Sequence, residues 1–186
     1  SPKNNITNFI TIGALSEKRK STKVIINAIE KLISQGVNNF KITVIGKGKI
    51  SDLPNKLQPY IDIKGRLNFT KMYEEIEKAD FILSAYEDIE AHLKYATSKT
   101  SGTYQLVYGF LKPIFIKTNH APINGFDPTN SIIYDTDEDY SNAMLEAINI
   151  DSKKYLEKQN NLKQCADSLY LKSKQNFEHL INSRKE

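Results

Sequence analysis

Three basic residues follow the first glycine-ended apolar run of the sequence. The run at 9–13 is predicted to be a strand, and Lys18, Arg19 and Lys20 lie between it and a helical pattern. Towards a phosphate, lysine acts as a point charge and arginine offers a planar fork of donors. The spacing therefore predicts a phosphate site beyond Gly13 at the end of this strand. A solvated basic loop is the alternative interpretation.

Four small residues, Thr100–Thr103, precede a helical pattern over 104–110. Gly102 lets the backbone approach a ligand closely, and the N–H groups and dipole at a helix start favour an anion. The hydroxyls of Ser101 and Thr103 can add donors. Serine and threonine also cap helices generally, so this segment predicts an anion site, a helix cap, or both.

A glycine pair, Gly46-Lys47-Gly48, ends the second predicted strand. It lacks the third glycine of a dinucleotide fingerprint and the Gly-Lys-Ser/Thr of a P-loop. The pattern predicts a tight strand exit at Gly46 that a ligand could approach.

Acidic residues follow the fourth predicted strand at Glu87, Asp88 and Glu90. They could bind sugar hydroxyls or orient a leaving group, and a charged helix start is the alternative. A second acidic group at 135–139 lacks the spacing and glycine of a calcium loop. It is interpreted as helix capping, so no metal is predicted. The histidines are scattered, with no His-Glu-x-x-His or Gly-x-Ser-x-Gly pattern.

Strand and helix patterns alternate along the whole chain. Strands are predicted at 9–13, 40–46, 61–65, 80–84, 113–116 and 131–134, and helices at 20–35, 71–78, 88–96, 104–110, 137–148 and 152–181. Thr70 is predicted to cap the second helix, with Tyr73 and Ile76 facing inward. The alternation predicts an α/β fold, a Rossmann-like doubly wound parallel sheet of about six strands with helices on both faces and a long C-terminal helix.

Ligands bind beyond the carboxyl ends of the strands in such sheets. The predicted strand ends carry Gly13, Gly46, Gly65 and Ser84. The sequence therefore places its candidate phosphate contacts at one edge of one sheet.

Composition fits one globular domain. The chain has 186 residues, of which 39% are hydrophobic and 26% charged, enough apolar material for one packed core. The net charge is +4 with both signs interleaved, which predicts no nucleic-acid patch but suits an anionic small molecule or membrane face. The one cysteine excludes an internal disulfide framework and a cysteine zinc site, and favours a cytoplasmic location.

No apolar run approaches the ~18 residues that a membrane span needs. The start at Ser1, without methionine and close to the first strand, indicates a cut within a longer protein.

The order of the segments resembles the C-terminal domain of bacterial GT-B retaining glycosyltransferases, of the glycogen-synthase-like and capsule or lipopolysaccharide group. The resemblance covers residues 9–150 and is carried by ITIGALSEKRKSTKVIINAIEKL, ITVIGKG, IDIKGRLNFTKMYEEIEKADFILSAYED, TSGTYQLVYGFLKPIFI and NSIIYDTDEDYSNAMLEAI.

The resemblance implies that residues 1–150 bind a nucleoside-diphosphate sugar, with a UDP or GDP base, as substrate and without a cofactor. It implies that the helix at 151–186 packs on this domain and reaches towards an N-terminal domain that binds a glycan or lipid-linked acceptor. The intact enzyme would transfer a sugar to an acceptor hydroxyl in surface polysaccharide biosynthesis, in the cytoplasm or at the inner membrane face. The fragment alone is expected to be inactive.

The resemblance also implies roles for single residues. Lys20 takes the place of the lysine that binds the diphosphate, and Glu87 matches the first acid of a glutamate pair near the sugar. The loop at Ser101, Gly102 and Thr103 corresponds to the one whose amides hold the distal phosphate. The remaining implied donor contacts are Gly13, Arg19, Gly46, Arg66, Leu67 and Gln105.

Two positions depart from the family pattern. Ala14 stands where an arginine is frequent, so Lys18 or Arg19 would have to supply that cation. The second glutamate, which binds the ribose, should fall near Gln105 or Leu106, and neither is an acid.

Two other functions fit the same pattern. One is a nucleotide-sugar epimerase of the same two-domain architecture, with Glu87 and His92 as its only candidate catalytic groups. The other is a binding module without catalysis, which the two departures favour.

Overall fold

The computed structural model describes residues 6–13, 20–47, 53–84 and 101–183 of the chain. Its strands form one parallel sheet of four strands and one of two. The first has the order β3-β2-β1-β4 and consists of β1 (Thr7–Ile12), β2 (Phe40–Ile45), β3 (Ile61–Gly65) and β4 (Phe81–Ile82). The second consists of β5 (Phe115–Lys117) and β6 (Ile132–Tyr134).

A parallel bridge between Ile82 and Ile114 joins the two sheets into one. The amide of Ile82 donates to the carbonyl of Pro113 at 3.0 Å, and the amide of Ile132 donates to the carbonyl of Ile114 at 2.9 Å. The strand order therefore runs β3-β2-β1-β4-β5-β6, which is the order of a doubly wound nucleotide-binding sheet. The predicted Rossmann-like fold is confirmed, with its six strands arranged as four plus two.

Helices cover both faces of this sheet. They are α1 (Lys20–Ser34), α2 (Phe69–Lys78), α3 (Gly102–Phe110), α4 (Tyr140–Asn149) and α5 (Ser152–Asn182), with 3₁₀ helices at Asn55–Tyr60 and Pro122–Asn124 that the sequence did not predict. The predicted helix at 88–96 lies outside the described residues.

Alternation along each strand divides the core into two layers. Phe9 and Phe81 join α1, α4 and Tyr155 of α5 in one cluster, whereas Ile10 and Ile82 join α2, α3 and Leu162 of α5 in the other. Successive strand residues point to opposite faces, so both faces of the inner strands must be apolar. This explains why those strands read as continuous hydrophobic runs.

The start of α2 differs from the prediction. Asn68, not Thr70, caps the helix, and its side-chain oxygen accepts the amide of Lys71 at 2.9 Å. Asparagine caps at least as well as threonine, and its position brings its oxygen to the amide three residues on. Ile76 is fully buried as predicted, but Tyr73 is 40% exposed, so its predicted inward orientation is wrong.

The first half of α5 is fixed to the sheet. Asp151 caps it by accepting the amide of Lys154 at 2.8 Å. The buried Tyr155 hydroxyl donates to the carbonyl of Asp80 at 2.8 Å, and burial raises the pKa of Tyr155. Lys158 donates to the carbonyl of Ser131 at 2.9 Å, and burial lowers its pKa. These contacts hold α5 across the edge where the strands begin.

The second half of α5 leaves the body of the domain. The helix has 31 residues, about 46 Å at 1.5 Å per residue. Every residue from Asp167 to Ser183 is exposed. Leu169, Phe177 and Leu180 lie within about 60° of the direction of the buried Leu162 at 100° per residue, so the buried stripe of the first half continues as an exposed stripe.

Candidate functional site

Three glycines lie side by side at the carboxyl edge of the sheet. Gly13 follows β1, Gly46 follows β2, and Gly65 ends β3. The amide of Gly13 donates to the carbonyl of Ile45, and the amide of Gly46 donates to the carbonyl of Gly65, both at 2.9 Å. Because neighbouring strands are about 4.8 Å apart, the row crosses about 10 Å of the edge without a side chain.

The closest approach in this row is between Gly46 and Gly13. A Cβ on Gly46 would lie 1.6 Å from the carbonyl oxygen of Gly13, and φ of Gly46 is +155°. Only glycine fits there, since the neighbour is backbone and cannot rotate away. The tight strand exit that the sequence predicted at Gly46 follows from this contact.

Two tyrosines hold the end of the neighbouring strand, β4. The hydroxyls of Tyr134 and Tyr140 donate to the carbonyl of Ser84 at 3.4 and 3.0 Å. The Ser84 hydroxyl donates in turn to the carbonyl of Phe115. Sequence reasoning missed this cluster, because partners 50 and 56 residues apart give no local signal. It fixes the sheet edge beside Gly13, where the strand order reverses.

The start of α3 is both capped and open. Ser101 is the N-cap, and its hydroxyl accepts the amide of Thr103 at 3.3 Å, so the capping interpretation is confirmed. Gly102 is exposed, and a Cβ on it would meet no atom of the described residues within 4 Å. Gln105 is also exposed. The first turn of this helix therefore faces open space in which a ligand could lie.

Topology brings the starts of α1 and α3 to the same edge. Each helix follows the carboxyl end of a strand, β1 or β4, and leads to the start of the next parallel strand, β2 or β5. The two helices lie on opposite faces of the sheet. Their positive dipole ends thus flank the ends of β1 and β4, the crevice where doubly wound sheets bind anionic ligands. Lys20 is the first residue of α1.

The other predicted site residues are distributed around this edge or lie outside the described parts. Arg66 is exposed beyond β3, and Leu67 is half-buried against the second core cluster. Leu106 packs against the same cluster. Arg19, Glu87 and the side chain of Lys20 lie outside the described residues.

Two surface cavities lie away from these residues. One of about 550 Å³ is bounded by α4, α5 and Thr129, and one of about 430 Å³ lies between α1 and the start of α4. Among the described residues, those that line the two cavities include no predicted site residue. Within the described ranges, no group of three or more His, Cys, Asp or Glu side chains could hold a metal ion. None of the helices described is both long enough and apolar enough to cross a membrane.

The strand order and the helices on both faces of the sheet define a Rossmann-like fold, and this fold matches the Rossmann-like domains of GT-B glycosyltransferases. The chain is similar to WaaG, a glycosyltransferase involved in lipopolysaccharide biosynthesis, with a TM-score of 0.64 and 18% identity over 89% of this chain. It is similar to TarM, with a TM-score of 0.62 and 16% identity over 98% of this chain. It is also similar to the pneumococcal O-GlcNAc transferase GtfA, solved with UDP and GlcNAc, with a TM-score of 0.64 and 14% identity over 95% of this chain.

The chain spans less than half the length of these proteins: 44% of WaaG, and 36% of TarM and of GtfA. No protein-family model matches the chain, and no curated protein sequence matches it. The similarity in structure at these identities establishes the fold.

Proposed function

We propose that this chain is the donor-binding part of a retaining glycosyltransferase, which transfers a sugar from a UDP or GDP sugar to an acceptor hydroxyl in bacterial surface polysaccharide biosynthesis. The observation that carries the proposal is the carboxyl edge of the sheet. There the side-chain-free ends of β1 and β2 lie between the starts of α1 and α3. A diphosphate would bind in this crevice, with the donor as substrate and no further cofactor.

Departure of the diphosphate is the difficult step of such a transfer. Negative charge grows on the leaving phosphate oxygens while the bond to the sugar breaks. Helix-end amides held in place before the reaction stabilise this charge without reorganising, and one such donor typically contributes ~10²–10³ in rate. The start of α3, with Ser101 and Gly102, and the ammonium of Lys20 on α1 would fill this role. Glu87 would lie near the sugar.

The exposed half of α5 supports a two-part enzyme. Its stripe of Leu169, Phe177 and Leu180 is 41–63% exposed, and apolar patches of this kind mark interaction surfaces. We place the acceptor-binding domain of a longer cytoplasmic polypeptide, which acts on a glycan or lipid-linked acceptor at the membrane face, against this stripe. In that polypeptide, amide hydrogen exchange at 167–183 should be slower than in the 186-residue chain. Equal exchange in both would contradict this arrangement.

Calorimetric titration with UDP, GDP and ADP tests donor binding directly. Ligand at 100-fold excess over Kd should also stabilise the fold by about 2.7 kcal/mol, which a thermal melt would detect. The chain alone should bind a nucleotide but transfer no sugar. A chain that binds none of these diphosphates would leave a non-catalytic module as the function. That alternative is favoured by Gln105 and Leu106, near which the resemblance implies an acid, and Leu106 packs against the core.

Lys20→Ala should lower diphosphate affinity about 10- to 100-fold, the loss of a charge-assisted hydrogen bond to phosphate. Calorimetry with the best nucleotide measures it. Lys31→Ala is the matched control, because Lys31 is exposed in the last turn of the same helix. If both variants bind like the wild type, Lys20 is not part of the site.

A further inference from the structure

Phe69 is the most exposed large hydrophobic side chain in the described parts of the chain, at 74%. It is the first residue of α2. On the same helix, Met72 and Ile76 pack into the second core cluster. Phe69 lies on the same side of the helix at 100° per residue, but at its first residue it stands beyond the packed part of that face. Packing of the domain therefore does not account for this ring.

Other aromatic rings nevertheless hold Phe69 in place. Its centroid is 6.2 Å from that of Tyr73, with the planes tilted by 43°. Tyr73 lies in turn 5.3 Å from Phe110 of α3. This aromatic ladder links α2 to α3 and supports Phe69 from one side, while most of its surface remains in solvent. A supported, exposed ring is well suited to stacking.

Phe69, at one end of this aromatic ladder, stands at the same sheet edge as the glycine row. α2 follows β3 through Gly65, whose carbonyl accepts the amide of Gly46. α2 and α3 cover the same face of the sheet, and both begin at its carboxyl edge. Phe69 and Gly102 are the first residues of these two helices, so both stand at this edge.

We infer that Phe69 is a stacking platform for the nucleobase of the bound nucleotide, an inference that rests on the proposed function. In doubly wound sheets the pyrophosphate lies at the turn after the first strand, and the ribose lies at the end of the second. With the diphosphate at Gly13 and the start of α3, a nucleotide laid along the glycine row directs its base towards β3 and the start of α2. An aromatic face there binds any base, because every base has a π-face.

Calorimetry with UDP, GDP and inorganic pyrophosphate tests this inference. Phe69→Ala should weaken binding of the two nucleotides by about 10-fold or more, the loss expected for one base stack. It should leave pyrophosphate binding unchanged, and Phe69→Trp should bind the nucleotides like the wild type. Phe177→Ala is the matched control, because Phe177 is 63% exposed on α5. Thermal melts should show all three variants folded, since neither ring is part of the core.

The outcomes separate the inference from the proposed function. If the wild type binds nucleotides and Phe69→Ala binds them equally well, the base does not stack on Phe69. An equal loss for pyrophosphate, or for nucleotides in Phe177→Ala, also overturns the inference. A wild type that binds neither nucleotide nor pyrophosphate overturns the proposed function itself.

Discussion

Replacing Gly102 with valine should reduce nucleoside diphosphate affinity more than about 100-fold, the order of effect seen when a preorganised phosphate or oxyanion contact is lost. Gly102 is the first residue of α3, and its backbone is helical. A Cβ at this position meets no atom within 4 Å among the residues that the structure describes. The valine methyl groups would therefore occupy the space in front of the helix start, where the phosphate is proposed to lie, without displacing protein atoms.

The matched control is Gly109→Val in the same helix. Gly109 also has no atom of the described residues within 4 Å of a built Cβ, but it lies at the far end of α3. The free energy of unfolding of both variants should lie within about 0.5 kcal/mol of the wild-type value, as is usual for surface substitutions. Calorimetry should show a loss of affinity only for Gly102→Val. Wild-type affinity in that variant would remove the α3 start from the site.

The sheet could be predicted because its inner strands are buried on both faces. Runs such as 81–83 and 114–116 are continuous hydrophobic segments, and such segments leave little choice of structure. Boundaries were predicted less well where several polar residues compete to cap a helix. At α2 the cap is Asn68. At α4 the helix begins at Tyr140, and the predicted capping by the acids before it is wrong for Asp139, whose carboxylate accepts the amide and hydroxyl of Thr136 instead of a helix amide.

The site could be predicted only in part, for a related reason. Gly13, Gly46 and the segment around Gly102 follow from strand ends and helix starts, which are local signals. The contact between Gly13 and Gly46 depends on the pairing of β1 with β2. The tyrosine hydroxyls that donate to the carbonyl of Ser84 come from residues far along the chain. The exposure of Phe69 depends on where the start of α2 lies relative to the packed core, and its one-turn neighbour Tyr73 was predicted to face inward. Contacts set by tertiary packing leave no pattern in a single sequence.

Gly46→Ala should destabilise the fold by about 3 kcal/mol or more, because two costs combine. The new Cβ would lie 1.6 Å from the carbonyl oxygen of Gly13, and overpacking against a fixed neighbour costs about 1–3 kcal/mol. The positive φ of +155° adds strain of about 1–3 kcal/mol for a residue with a side chain. To relieve the clash, β1 and β2 would have to separate at the edge that forms the proposed site.

Gly36→Ala separates the two costs. Gly36 has φ of +78° but no atom within 4 Å of a built Cβ, so alanine there carries only the backbone strain, about 1–2 kcal/mol. Urea unfolding of the wild type and both variants measures the difference. We expect Gly46→Ala to lose at least about 1–2 kcal/mol more than Gly36→Ala. Equal losses of unfolding free energy would mean that the ends of β1 and β2 can move apart freely. Strand ends that move freely could not hold a diphosphate in one position.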